Sequence, residues 1–346
     1  MIRVLVAEDS PTALAVLKKI IGSVPDMEVV GEARDGRQAV RLAAALSPDV
    51  ITMDIIMPVL DGASATRRIM ASTPSPIVAV TAYDVREMGA SFDVLAAGAL
   101  DIIRKPTLMG ISEEAMAGDL ITAIRNASRI KVFRRTGPAV CADPKPPSPS
   151  PPRRARTILL IGGSAGAPGV LAAILGVLPA DFPAPIVVVQ HIAPHFLDSF
   201  VRWLDARTRL SVEIAEEGLI PRNGRVYFPP VDRHLEFSAD GSIHLGESAP
   251  VRHHRPSIDV LLLSAARVFG DGAVALLLSG MGSDGVEGAV RIRETDGLVM
   301  VQDPAEALVG GIPSAVVEAG AAHLILGHAD AAWRLLKIFG GKEGGA

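Results

Sequence analysis

The chain has 346 residues, 49% of them hydrophobic and 21% charged, with a formal net charge of −4. That length suits two ordinary domains and that composition excludes a disordered chain, while so mild a charge gives no footing for nucleic acid as the main partner. A lone cysteine, Cys141, excludes an internal disulfide and a cysteine zinc site, and no apolar run nears the ~18 residues of a membrane span.

The first 130 residues alternate short apolar runs with helical patterns. Ile2–Ala7, Glu28–Ala33, Val50–Met53, Ile77–Val80 and Leu100–Arg104 read as strands. Helices are expected near Thr12–Ser23, Gly36–Leu46, Ala63–Ser72, Arg86–Ala97 and Glu113–Ile130. Five strands alternating with five helices predict a parallel sheet covered on both faces, with its site at the carboxyl ends of the strands. Residues 133–156 follow as a spacer: seven prolines fall between Pro138 and Pro152, where they remove backbone donors and stiffen the chain.

A second α/β pattern runs from 157 to 341. Strands are expected at Thr157–Ile161, Ile186–Gln190, Ala273–Leu278 and Leu298–Val301. Helices are expected at Gly169–Leu178, Phe196–Arg207, Ile258–Phe269, Val286–Glu294 and Ser314–Glu318. Arg225–Phe228, Leu235–Ser238 and Ser242–Leu245 read instead as short antiparallel strands, with turns at Pro229-Pro230 and Asp240-Gly241. The fold class is therefore α/β twice over: a flavodoxin-like (βα)5 unit of residues 1–132, then a doubly wound, mostly parallel unit with a small hairpin region.

Chemistry gathers at the predicted strand ends. In the first unit Asp9, Asp54, Thr81 and Lys105 close successive strands, and Glu8 adjoins Asp9. Clustered carboxylates call for a cation, and hard oxygen ligands suit Mg²⁺, which also accepts phosphate oxygens. Asp54 is placed as a nucleophile for phosphoryl transfer, with Thr81 to hydrogen-bond a phosphoryl oxygen and Lys105 to supply positive charge. Residues 1–129 resemble a two-component receiver domain on the run Met53-Asp54-Ile55-Ile56-Met57-Pro58-Val59-Leu60-Asp61-Gly62 and on Lys105-Pro106. The resemblance implies that Glu8, Asp9, Asp54 and the backbone carbonyl of Ile56 hold Mg²⁺, and that a histidine kinase phosphorylates Asp54. Ile102 stands where many receivers carry an aromatic switch residue.

In the second unit the turn Gly162-Gly163-Ser164-Ala165-Gly166 follows the first strand. By itself such a turn serves an oxyanion or a bound phosphate equally well. His191 ends the next strand and Asp284 lies in a glycine-rich loop after the strand 273–278. Serine, histidine and aspartate at one sheet edge are what a nucleophile, its base and the base's orienter require. Residues 156–338 resemble the catalytic domain of chemotaxis protein-glutamate methylesterases (CheB-like). The matching pieces are Ile161-Gly162-Gly163-Ser164, Gln190-His191, His254-Arg255-Pro256-Ser257-Ile258-Asp259 and Leu278-Ser279-Gly280-Met281-Gly282-Ser283-Asp284-Gly285. The resemblance implies Ser164 as nucleophile, His191 as general base, Asp284 as its partner, and the backbone near Met281 as an oxyanion holder.

A phosphorylation-activated hydrolase is thus expected. It would act on glutamyl methyl esters of chemoreceptors and by extension on receptor glutamines, with no cofactor for the hydrolytic step. Ala165 and Ala167 depart from the family pattern, and they keep a non-catalytic signalling adaptor open as the alternative. His253 and His254, beside Arg252 and Arg255, read either as a recognition surface for acidic substrate or as a solvated loop. Glu8 and Asp9 arrive too early for a signal-peptide core, so a cytoplasmic protein without membrane insertion is expected.

Overall fold

The computed structural model describes residues 1–81, 88–105, 113–130, 132 and 157–340. The spacer prolines and Cys141 lie outside the described residues. The chain divides into two compact units, Met1–Thr136 and Gly137–Ala346.

The first unit runs β1 (Ile2–Ala7), α1 (Pro11–Gly22), β2 (Met27–Ala33), α2 (Gly36–Leu46), β3 (Val50–Asp54), α3 (Gly62–Ser72), β4 (Ile77–Thr81), α4 (Met88–Ala97), β5 (Asp101–Arg104) and α5 (Glu113–Ser128). The strands form one parallel sheet in the order β2-β1-β3-β4-β5. Every residue of β3 and β4 is buried, as befits central strands covered on both faces. Side-chain caps start the helices. Ser10 accepts from Ala13 N–H at the head of α1, Asp35 from Gln38 N–H at α2, and Asp61 from Ser64 N–H at α3. Ile102 is 4% exposed in β5, a core residue of this sheet.

The second unit runs β6 (Ile158–Gly163), α6 (Ala167–Val177), β7 (Ile186–Gln190), α7 (Leu197–Asp205), β8 (Ser211–Ile214), β9 (Arg225–Phe228), β10 (His234–Phe237), β11 (Ile243–Gly246), α8 (Ile258–Phe269), β12 (Ala273–Leu277), α9 (Val286–Glu294), β13 (Leu298–Gln302), α10 (Gly311–Glu318), β14 (Leu324–Leu326) and α11 (His328–Phe339). Seven of these strands make a parallel sheet in the order β14-β13-β12-β6-β7-β9-β8. Residues of β6, β7, β12 and β13 are wholly buried and pack with α8, α9 and α10 in one core. Strand order reverses at β6: β7 lies on one side and β12 on the other. That reversal opens a crevice at the carboxyl ends, where such sheets place their ligands.

Two expectations change. β9 is not antiparallel: it pairs in parallel with both β7 and β8. Of the three expected strands, β10 and β11 form an antiparallel hairpin, turning at Asp240-Gly241 with Gly241 at φ +84°. β8, β14 and α11 complete the unit where no element was expected.

Candidate functional site

Two sites emerge, one at the carboxyl edge of each sheet. In the first unit Glu8 and Asp54 are buried, Asp9 is exposed, and one oxygen of each lies within 4.8 Å of the others. Lys105 Nζ reaches Asp54 Oδ2 at 2.8 Å and Glu8 Oε2 at 2.9 Å. Lys105 Nζ donates to Glu8 Oε1 at 3.1 Å, whereas its approach to Oε2 is not aligned as a hydrogen bond and leaves that oxygen buried and unsatisfied. Burial, then the neighbouring charge of Asp54, raises the Glu8 pKa to about 7. Burial likewise raises Asp54, against the pull of Lys105. The cluster therefore carries more buried negative charge than one lysine settles, and an all-oxygen donor set with an unsatisfied carboxylate oxygen fits Mg²⁺. Ile56 sits in the turn after β3, with its N–H 3.4 Å from Asp54 Oδ1. Thr81 is buried at the end of β4, and its carbonyl accepts the Lys105 N–H at 2.6 Å.

In the second unit Ser164 follows β6, His191 follows β7, and Asp284 lies in the loop after β12. β6 and β7 pair with Gly163 opposite Gln190, and His191 N–H donates to Gly163 carbonyl at 3.0 Å. That register sets Ser164 and His191 side by side at the sheet edge. Ser164 N–H is held by the Ser279 carbonyl at 2.9 Å. Gly280 must lack a side chain, because a Cβ there would stand 2.9 Å from Ser164 Cβ. Gly166 caps α6 at φ +79°, a left-handed conformation that favours glycine. Ala167 opens α6 as a buried helical residue, so its methyl group fits the turn.

Asp284 is 2% exposed, yet its carboxylate is well supplied with donors. Ser257 Oγ donates at 2.7 Å, Ile258 N–H at 2.8 Å and Asp259 N–H at 3.1 Å, and His191 Nε2 lies 3.0 Å away. The two backbone donors open α8, whose N-terminus favours an anion. Burial alone would raise this carboxyl. The His191 contact, the helix N–H groups and the serine overcome it and lower the pKa to about 2. Asp284 is thus held ionised next to an imidazole, as an orienter requires.

Asp284 meets Nε2 of His191, which leaves Nδ1 as the nitrogen available to a serine. The 3.0 Å approach is close but off-axis, so neither ring nitrogen completes an aligned hydrogen bond. The Ser164 hydroxyl likewise makes none among the described residues. The other face of the His191 ring is covered by His254, stacked with centroids 3.8 Å apart and planes 11° apart. Burial, then the His191 charge, lowers the His254 pKa and favours its neutral form. Among the described residues the backbone N–H groups of Ala165, Gly166 and Met281 have no hydrogen-bond partner, and Met281 is 38% exposed at the rim.

The sequence reading singled out Ser164, His191 and Asp284, and all three come to this edge. It did not find the stacking role of His254 or the capping role of Ser257, although both lie in the quoted stretch 254–259. Arg255 is not free to read substrate. It is bound to Asp232 and to the carbonyls of Glu247 and Ser248. Arg252 is half exposed and leans on buried Asp259.

The CheB methylesterase family model matches residues 159–335, and the response regulator receiver domain model matches residues 4–113. A protein-glutamate methylesterase/protein-glutamine glutaminase 3 from Anaeromyxobacter dehalogenans is 45% identical over 94% of this chain and 96% of its own length. A protein-glutamate methylesterase/protein-glutamine glutaminase 4 from Myxococcus xanthus is 40% identical over 99% of this chain and 98% of its own. The crystal structure of the Thermotoga maritima CheB methylesterase catalytic domain aligns over 54% of this chain and all of that one, at 36% identity and a TM-score of 0.52. The chain therefore belongs to the CheB methylesterase family and carries a response regulator receiver domain ahead of its catalytic domain.

Proposed function

We propose that this protein hydrolyses glutamyl methyl esters of chemoreceptors through Ser164, His191 and Asp284, under control of phosphorylation at Asp54. The observation that carries the reading is the buried, ionised Asp284 placed 3.0 Å from His191 Nε2 at the edge that also bears Ser164. Nδ1 of His191 takes the Ser164 proton as Oγ attacks the ester carbonyl. Asp284 stabilises the imidazolium that forms. The uncommitted N–H groups at Ala165, Gly166 and Met281 receive the oxyanion of the tetrahedral intermediate. The imidazolium returns the proton to the departing methanol, and water then clears the acyl-enzyme by the same steps in reverse. Receptor glutamines undergo the same attack with ammonia as the leaving group.

In the receiver, Glu8, Asp9 and Asp54, with the Ile56 carbonyl, would hold Mg²⁺. When bound, the ion offsets the charge of an incoming phosphoryl group. Asp54 accepts that group from a histidine kinase, and Thr81 and Lys105 bind its oxygens. Among the described residues no helix is long and apolar enough to cross a membrane, and a cytoplasmic site of action accords with both substrate and kinase. The adaptor alternative gains nothing from Ala165 and Ala167. Ala167 fits its helix, and the relatives are named for an enzyme activity.

The test is methanol release from methylated receptor by the full chain, with and without acetyl phosphate and Mg²⁺. Release that rises on phosphorylation is expected. No release in either state would reject the activity, and equal rates with Asp54 phosphorylation confirmed by mass would reject the control.

A further inference from the structure

The parallel ladder between β6 and β7 ends where it is most needed. Its last backbone bond runs from His191 N–H to Gly163 carbonyl. Past that point, among the described residues, no backbone bond joins the turn that carries Ser164 to the segment that carries His191. One side chain spans the gap. Gln190, 5% exposed, directs Nε2 to the Ser164 carbonyl at 2.8 Å and to the His191 carbonyl at 3.0 Å. Both N–H groups of one carboxamide are thus spent on the backbones of the two residues that must exchange a proton. The opposite amide orientation would set an oxygen against two carbonyl oxygens, so the network itself fixes Nε2 in this place. The His191 carbonyl receives no other hydrogen bond among the described residues.

We propose that Gln190 is a positioning residue: its carboxamide extends the ladder by one residue and sets the spacing between nucleophile and base. On the far flank, Ser164 N–H is fixed by the Ser279 carbonyl at 2.9 Å, and Ser279 N–H is in turn held by Gln302 Oε1 at 2.8 Å. With that side anchored, loss of Gln190 frees the base side alone. A displacement of about 1 Å between reacting groups costs on the order of 100-fold in rate. The Gln190 amide hydrogens are spent on two backbone carbonyls, so its loss is expected in turnover rather than in substrate affinity.

The proposal rests on the Ser164–His191 reading above. Gln190→Met keeps the side-chain volume and removes both donors. A serine-directed phosphonate probe titrates competent sites in the full chain, and methanol release is expressed per titrated site. A fall of roughly 10- to 100-fold per titrated site is expected, with KM within about twofold of the parent. A loss confined to the number of titratable sites would reduce Gln190 to a structural role and overturn the proposal, as would a raised KM with kcat kept.

Gln190→Glu supplies an independent reading should the methionine variant fold poorly. The neutral acid keeps one donor and the carboxylate keeps none, so the ratio of its turnover to the parent's should fall as pH rises through the new group's pKa. A ratio flat with pH contradicts the proposal. Ser164→Ala is the control: full turnover there would remove the catalytic reading itself, whatever the Gln190 variants do.

Discussion

Replacing Asp284 by asparagine tests the electrostatics of the site at its most buried point. The carboxylate accepts from Ser257 Oγ, Ile258 N–H and Asp259 N–H and faces His191 Nε2. Asparagine offers one acceptor oxygen and turns an N–H₂ toward the remaining donors. The Asp284 pKa drops from 3.8 to about 2. At 1.36 kcal/mol per unit that is roughly 2 kcal/mol favouring the ionised form in the folded state. Because the folded pKa is depressed, this stabilisation is complete above the unfolded value of 3.8 and is lost as pH falls through about 2. Acid unfolding of the parent should therefore steepen between those two values, and Asp284→Asn should lack that component. Turnover should fall by about 10³- to 10⁴-fold, because the amide neither stabilises an imidazolium nor selects the same tautomer. Circular dichroism across the acid range and methanol release near neutral pH read the two effects separately. A variant within tenfold of the parent in turnover, with an unchanged acid limb, would refute the role assigned to Asp284.

Three further outcomes follow from the same geometry. His191→Ala should slow phosphonate labelling of Ser164 by at least about 100-fold, since it removes the base, and mass mapping of the adduct checks this. Gly166→Ala places a Cβ 2.6 Å from Ser279 Oγ and 2.8 Å from Leu308 Cβ at φ +79°. It should destabilise the catalytic unit by about 1–3 kcal/mol, read by chemical denaturation. Asp54→Asn should abolish the mass gain on treatment with acetyl phosphate and Mg²⁺ and weaken thermal stabilisation by Mg²⁺, read on the full chain.

Much of this was legible because the chemistry sits at strand ends. Runs such as Ile77–Thr81 and Ile186–Gln190 are fully apolar until their last residue, so the polar residue that follows marks both the end of a buried strand and the edge of the sheet. His191 announced itself in this way, and so did Asp54, which ends a buried strand broken only by Thr52. Lys105 instead follows the polar-ended strand Asp101–Arg104 and was picked out by Lys105-Pro106. β9 did not. Consecutive parallel strands ordinarily need a long crossover, often a helix, whereas β8 and β9 are joined by the short stretch 215–224, with Gly218 and Gly224 at positive φ. The proline and glycine turns around it therefore suggested a hairpin. β8 itself is a four-residue edge strand with only Val212 buried, too short and too polar to give a period. β14 has three residues.

At the catalytic site the type of each residue could be read, but not the support beneath it. The aspartate pKa depends on the N-terminus of α8 arriving under Asp284. The His191 ring is covered on one face by His254. Both are long-range contacts that local pattern does not encode. Which imidazole nitrogen faces the carboxylate is likewise a matter of three-dimensional approach.

The account turns on whether the Ser164 hydroxyl performs the attack. Methanol release from methylated receptor, measured side by side for the phosphorylated parent and for Ser164→Ala with its receiver phosphorylated to the same extent, decides it. Activity in the parent and a loss of several orders of magnitude in the variant are predicted. Comparable release from both would contradict the account.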